Sequence, residues 1–289
     1  MPAASFPNDA YVTIRAGEPL SEISTSLSTN GIITSAGLFS AYVRVAGRAS
    51  ALKAGVYRFT RPLGIAGVAE RLTHGAFGIA AVRITFPEGY TVRDMSALIA
   101  RELPEADAPS FIAAAKGDEG YLFPDTYEFL PSASAADIVE AMRANFDARI
   151  ASITPAIAAS GHALPDIVTM ASLIEKEART PADRRMVAGI LWNRVRLGMP
   201  LQVDAVFGYI EGTATHAPSL AELSSDSPYN TYLHAGLPPG PICNPGLDAL
   251  LAALTPAKTA DLYYLTGKDG KMHYARTYAE HERNQLLYL

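Results

Sequence analysis

Two glutamates stand two positions apart in the stretch 166–179, DIVTMASLIEKEAR, and they are the side chains best suited to proton transfer. On a helical wheel Ile167, Met170, Ala171, Ile174 and Ala178 share one face, at the i, i+3, i+4, i+7 spacing of a buried stripe. Glu175 falls at the border of that face, one turn after Ala171 and two turns after Val168, while Lys176 falls opposite, toward water. A carboxylate at an apolar border is partly desolvated, which disfavours its charged form and raises its pKa. A general acid working near neutral pH needs that. Glu177 lies on the other flank, roughly 160° from Glu175 at about 100° per residue, so the two carboxylates cannot both point into one small site. Taken alone, the spacing favours an ordinary amphipathic helix with two surface glutamates. The rest of the chain shifts that balance.

The 289 residues are 49% hydrophobic and 18% charged with net charge −5, the profile of a soluble globular protein of one large domain or two. A sequence pI of about 5.7 carries no general basic footprint for nucleic acid. The single cysteine, Cys243, excludes an internal disulfide, and the six histidines are scattered with no zinc spacing. No run of about 18 apolar residues is present, and the opening MPAASFPNDA lacks the basic and apolar regions of a signal peptide.

Residues 1–10 read as a disordered lead-in. Residues 11–15 read as a strand, 20–27 and 34–46 as helices, and 54–59 as a closing strand. This small module resembles the LysM fold, a glycan-binding unit. A second strand at 82–86 leads into a helix carrying Met95, Leu98 and Ile99. In residues 119–130, EGYLFPDTYEFL, four aromatics crowd around Asp125 and Glu128, and Pro124 forbids a regular helix or central strand. Such a composition suits a carbohydrate groove, although aromatics that simply pack in a core-covering loop account for it more readily.

A long amphipathic helix is expected over 135–150. Thr180-Pro181-Ala182-Asp183 is a helix start that turns the glutamate helix into one arm of an αα-hairpin ending near Gly198. Residues 226–246, DSPYNTYLHAGLPPGPICNPG, are too rich in proline and glycine for regular structure. A long ordered loop in a compact domain is usually functional, and Tyr229, Asn230, Tyr232, His234 and Asn244 can hydrogen-bond sugar hydroxyls and N-acetyl groups. A helix over 247–254, a hairpin around 267–270 and a final helix with a T-x-x-E capping box at Thr277 complete the chain.

Six stretches, in this order, resemble one family, the membrane-anchored endolytic murein transglycosylases of bacteria: EGYLFPDTYEF (119–129), ASLIEKEA (171–178), LQVDAVFGY (201–209), SPYNTY (227–232), GLPPGPICNPG (236–246) and HYARTYAEH (273–281). The resemblance covers most of 82–289 and implies an α+β fold, with a LysM-like module over 1–79 and a catalytic domain with a glycan groove over 80–289. It implies that the first glutamate of E-K-E, Glu175, is catalytic and that Asp125, Gln202, Asp204, Tyr229, Asn230 and Asn244 line the groove. The chain departs from the family where a small residue and a threonine flank the aspartate: Val203 and Val206 stand there, so no hydroxyl contact is expected at 206. A cytoplasmic tail and membrane helix are expected ahead of these residues, which then form a soluble ectodomain on the cell-wall side of the inner membrane.

The implied reaction needs one carboxyl group. Glutamic acid protonates the oxygen between MurNAc and GlcNAc, then, as carboxylate, takes the proton of the same MurNAc's C6 hydroxyl, which closes a 1,6-anhydro ring. The internal nucleophile supplies a high effective concentration, so no base for water is required. No metal or organic cofactor is implied. The implied partners are peptidoglycan glycan strands and the peptidoglycan synthases, penicillin-binding proteins, that work beside them. Two rivals stand against this reading: a peptidoglycan-binding scaffold that does not cut, and a hydrolase pairing Glu175 with Asp125 or Asp204 as its second carboxylate.

Overall fold

The computed structural model describes residues 6–7, 9–103, 106–214 and 217–289, so most of the expected lead-in lies outside the described residues. The fold is α+β, with its strands in three two-stranded sheets. Two compact units are present, one of residues up to 83 with 128–133, the other of residues 84–127 and 134–289. The sequence places the boundary near 79 and does not anticipate the return of 128–133 to the first unit.

In the first unit β1 (Ala10–Ile14) pairs antiparallel with β2 (Gly55–Phe59), Val12 opposite Tyr57. Between them run α1 (Leu20–Thr29) and α2 (Ala36–Val45), the latter capped by the Ser35 hydroxyl, which accepts from the Leu38 N–H. Val12, Ile14, Leu27, Phe39, Val43, Tyr57 and Phe59 form its core. A further helix, α3 (Ile65–His74), adds Val68, Ala69 and Leu72 to that core. It goes unpredicted from the sequence, where Gly64 and Gly67 blur its start. Gly75 ends it with φ of 66°, the left-handed conformation glycine adopts without steric cost.

The chain passes between the units within β3 (Val82–Thr85) and β4 (Thr126–Phe129), which pair with each other. Between these strands lie α4 (Val92–Glu102), opened by a Thr91–Asp94 capping box, and α5 (Ala108–Ala114). After them α6 (Ala135–Ser160) runs ten residues past the expected stop at Ile150, continuing through Pro155 to Gly161. The hairpin follows as α7 (Leu164–Glu177) and α8 (Pro181–Leu197), then α9 (Ala205–Glu211) and the short α10 (Leu220–Leu223). Residues 226–246 contain no helix or strand beyond one isolated bridge, as their prolines require. The chain closes with α11 (Leu247–Leu254), the hairpin β5 (Tyr263–Thr266) and β6 (Met272–Ala275), and α12 (Tyr278–Tyr288).

Helix α7 is the axis of the second unit. All eight residues from Ile167 to Ile174 are buried, because α8, α9 and α11 pack around it. The predicted stripe is therefore buried, and so are Val168, Thr169, Ser172 and Leu173 outside it. Polar groups on these faces are paired: Ser172 Oγ accepts from the Ile242 N–H at 3.0 Å and donates to the Thr169 carbonyl. Only the first and last turns of α7 escape full burial. Among the described residues no single helix is long and apolar enough to cross a membrane.

Candidate active site

The last turn of α7 sends three consecutive side chains into three surroundings. The helix stops because Ala178 is extended, at φ −137° and ψ 142°, and Thr180 then caps α8. Glu175 faces α8 and the start of α11. Its Oε1 accepts from Arg184 Nη2 at 2.5 Å and its Oε2 accepts from the Gly246 N–H at 3.0 Å. The two side chains are only 5% and 9% exposed. Arg184 is held by the Ala178 carbonyl as well, with the more exposed Glu88 and Asp248 at 3.7 and 4.0 Å. Burial pushes the Glu175 carboxyl up, against the Gly246 N–H and the Arg184 guanidinium, which favour its charged form. Gly246 is the N-cap of α11, so this carboxylate ties the end of one helix to the start of another, where negative charge is favourable.

Glu177 faces a cavity of about 460 Å³. Gln202, Asp204, Arg194, Tyr232, Tyr264 and His281 line it too. Burial raises the Glu177 carboxyl to about 7, against the Tyr264 hydroxyl, which donates to it at 3.0 Å; the nearby Asp204 pushes it further up. Asp204 accepts the Tyr232 hydroxyl. Gln202 has φ of 53°, a conformation few residues other than glycine adopt, and such strain gathers at functional sites. Its N–H is bonded to the Thr231 carbonyl, and its Oε1 accepts from Arg194, which also binds the carbonyls of Pro200, Leu201 and Leu262. His281, on α12, forms part of the wall, and among the described residues its buried Nδ1 has no hydrogen-bond partner.

The groove residues expected from the sequence therefore separate. Gln202 and Asp204 share the cavity with Glu177, but Glu175 lines neither this cavity nor a larger one, of about 840 Å³, to which Tyr229 belongs. Asp125 joins another network, accepting from the Thr126 N–H, Asn145 and Arg149, contacts that hold its carboxyl below the ordinary value. Asn230 and Asn244 line neither cavity: both are fully buried and their side chains are bonded inside the protein. Asn230 donates to the carbonyls of Leu223 and Ser225 and accepts from the Tyr232 N–H. Asn244 accepts from the Leu122 N–H and donates to the Tyr90 carbonyl and Glu119. Buried amides must be satisfied, and these two are satisfied by shaping the loop.

The sequence favours Glu175 over Glu177 because the resemblance points to the first glutamate of E-K-E and Glu177 lies on the opposite flank of the apolar stripe. It could not see that Tyr264 and His281, some 90 to 100 residues later, would build a cavity on that side. Among the described residues no three His, Cys, Asp or Glu side chains gather as metal ligands.

A family model described as the YceG-like family matches residues 12–286. The chain is similar to the endolytic murein transglycosylase of Bacillus subtilis (strain 168), at 33% identity over 96% of this chain and 84% of that protein. It is also similar to the endolytic murein transglycosylase of Streptococcus pneumoniae strain D39, at 29% identity over 95% of this chain, and spans 58% of that longer relative. A crystal structure of a YceG-like protein from Listeria monocytogenes superposes with a TM-score of 0.64 and 33% identity, covering 96% of this chain and 99% of the other. With a match that runs over nearly its whole length, the chain belongs to the YceG-like family.

Proposed function

We propose that this protein is an endolytic peptidoglycan lytic transglycosylase, and that Glu177 is its general acid and base. The names of its relatives support the reaction class. The observation that carries the residue assignment is the placement of Glu177 in a cavity beside Gln202, Asp204 and Tyr232, with its carboxyl raised to about 7. At neutral pH such a group is protonated about half the time, which suits both halves of the reaction: donation to the glycosidic oxygen, then acceptance from the C6 hydroxyl. The role that the resemblance gives to Glu175 thus passes two residues on. Glu175 lines neither of these two cavities and meets a guanidinium at 2.5 Å, which suits a fixed anion better than a proton donor, although burial pushes its carboxyl up as well.

In this mechanism the MurNAc–GlcNAc bond breaks as Glu177 protonates the leaving oxygen. Asp204, fixed by the Tyr232 hydroxyl, lies on the same cavity and favours positive charge developing at C1. Gln202, on the same cavity, can hold sugar hydroxyls or the N-acetyl group. The C6 hydroxyl then attacks C1 and returns its proton to Glu177, leaving 1,6-anhydroMurNAc. The first unit serves as a LysM-like glycan-binding module, and the reaction takes place on the cell-wall side of the membrane beside the synthases.

Purified peptidoglycan digested with the wild type and with Glu177→Gln, followed by mass spectrometry, tests the proposal. Products with anhydro ends from the wild type alone support it. Products heavier by one water point to hydrolysis by Glu177 with Asp204, the two carboxyl groups of this cavity. No cleavage by the wild type points to a scaffold. Full activity in Glu177→Gln overturns the residue assignment.

A further inference from the structure

The larger cavity, of about 840 Å³, has no part in the mechanism above, and its volume lies in the range of small-ligand sites. Three cations line it: Arg93, Arg101 and Lys176. Arg101 is paired with its neighbour Glu102 at 2.8 Å, whereas Arg93 and Lys176 have no ion-pair partner among the described residues. The two carboxyl groups on its wall are already engaged. Asp94 accepts from the Thr91 N–H and hydroxyl in the cap of α4. Glu119 accepts from the Val92 N–H and Asn244, and burial raises it to about 7, so it carries only part of a charge at neutral pH. Arg93 and Lys176 lie near enough to Glu119 to favour its charged form but form no ion pair with it, so the cavity offers positive charge that no ion pair takes up. The remaining wall includes Tyr209 and Tyr229, whose ring centroids lie 5.1 Å apart, with Leu98 and Ile112.

Its position relative to the Glu177 cavity is as informative as its charge. Lys176 and Ala205 line the larger cavity, while the adjoining Glu177 and Asp204 line the smaller. The two cavities therefore flank the same turn of α7 and the same start of α9. A helix with its side chains is about 10–12 Å across, and three extended residues span roughly 10 Å. A ligand with a sugar in one cavity and a short attached peptide in the other has the required reach.

We propose that the larger cavity binds the anionic peptide stem attached to the glycan, with Arg93 and Lys176 as the carboxylate-binding groups. The inference rests on peptidoglycan being the substrate. Amide-linked MurNAc and GlcNAc are uncharged, so the negative charge of a strand resides on the free carboxylates of its peptides, which the cations select. The aromatic and aliphatic wall takes their methyl and methylene groups.

The test uses the full chain and the free tripeptide L-Ala–γ-D-Glu–diaminopimelate, titrated calorimetrically into wild type, Glu177→Gln, Arg93→Ala/Lys176→Ala and Ile112→Glu. The peptide should bind the first two alike. It should bind at least tenfold more weakly to the double variant, and more weakly to Ile112→Glu, which adds an anion to the wall without removing a contact to the sugar. In parallel, the ratio of kcat/KM on stem-bearing strands to that on amidase-stripped strands should fall at least tenfold in the double variant. Failure of the wild type to bind the peptide overturns the proposal, as does a double variant whose affinity and ratio stay within twofold. The calorimetric arm needs no turnover, so an active Glu177→Gln would sink the assignment of the acid while leaving this inference standing.

Discussion

Glu175 and Arg184 form a 2.5 Å ion pair whose members are 5% and 9% exposed, and the same carboxylate accepts from the N–H of Gly246, the N-cap of α11. Removing one member of a buried pair leaves the other charge uncompensated, at a cost of about 3–5 kcal/mol. Glu88 and Asp248, at 3.7 and 4.0 Å from the guanidinium, offset part of that. Glu175→Gln should therefore lose about 3 kcal/mol of stability, read as a shift in the urea unfolding midpoint with unchanged slope. An unchanged midpoint would show that the pair contributes nothing.

Glu177→Gln should behave in the opposite way. The substitution keeps shape and a hydrogen bond to Tyr264 but cannot transfer a proton, so turnover should drop by roughly 10²–10⁴-fold. Its unfolding midpoint should match or exceed that of the wild type, because a costly desolvated carboxyl group is gone. Steady-state release of soluble muropeptides and an unfolding curve, measured on the same preparation, separate it from Glu175→Gln.

The pH dependence follows from the same group. The Glu177 carboxyl titrates near 7 when folded against an ordinary 4.5, so between those values the folded protein holds more proton than the unfolded chain. Its contribution to stability is complete below pH 4.5 and is lost as pH rises through 7, by about 3 kcal/mol. Glu119 adds a slope of the same sign, so the informative quantity is the difference between wild type and Glu177→Gln. The wild-type curve should fall more steeply across this window. Wild-type kcat/KM should also decline above about pH 7, where the acid is no longer protonated.

Asn230→Ala tests the loop. The change strands the carbonyls of Leu223 and Ser225 and the Tyr232 N–H in a buried site, for a loss of about 1–3 kcal/mol. A variant as stable as the wild type, but with weakened glycan binding, would return Asn230 to the groove.

The elements with a strong local pattern were legible. Helix α7, the α7–α8 hairpin, the β5–β6 pair and the capping box at Thr277 follow from periodicity and turn chemistry within a few residues. Helix α3 and the last ten residues of α6 were not, because Gly67 and Pro155 oppose helix locally and only tertiary packing overrides them. Of the proposed site, part of one cavity wall was legible. Gln202 and Asp204 could be named, but choosing between Glu175 and Glu177 depends on which one later segments seal and which they pair, and a helical wheel holds no information about partners far along the chain. The prolines of 226–246 did announce an ordered loop, yet its two asparagines turn inward to hold it in shape.

The three side chains at the end of α7 set a limit on evolutionary change. An insertion or deletion of one residue in that helix would rotate everything after it by about 100°. Glu175 would leave its guanidinium, Lys176 its cavity and Glu177 its pocket in a single event. Length variation should therefore be tolerated in the more exposed connections of this unit, such as 212–214 and 217–219, and be selected against between Leu164 and Glu177, where spacing is as much a part of the function as residue identity.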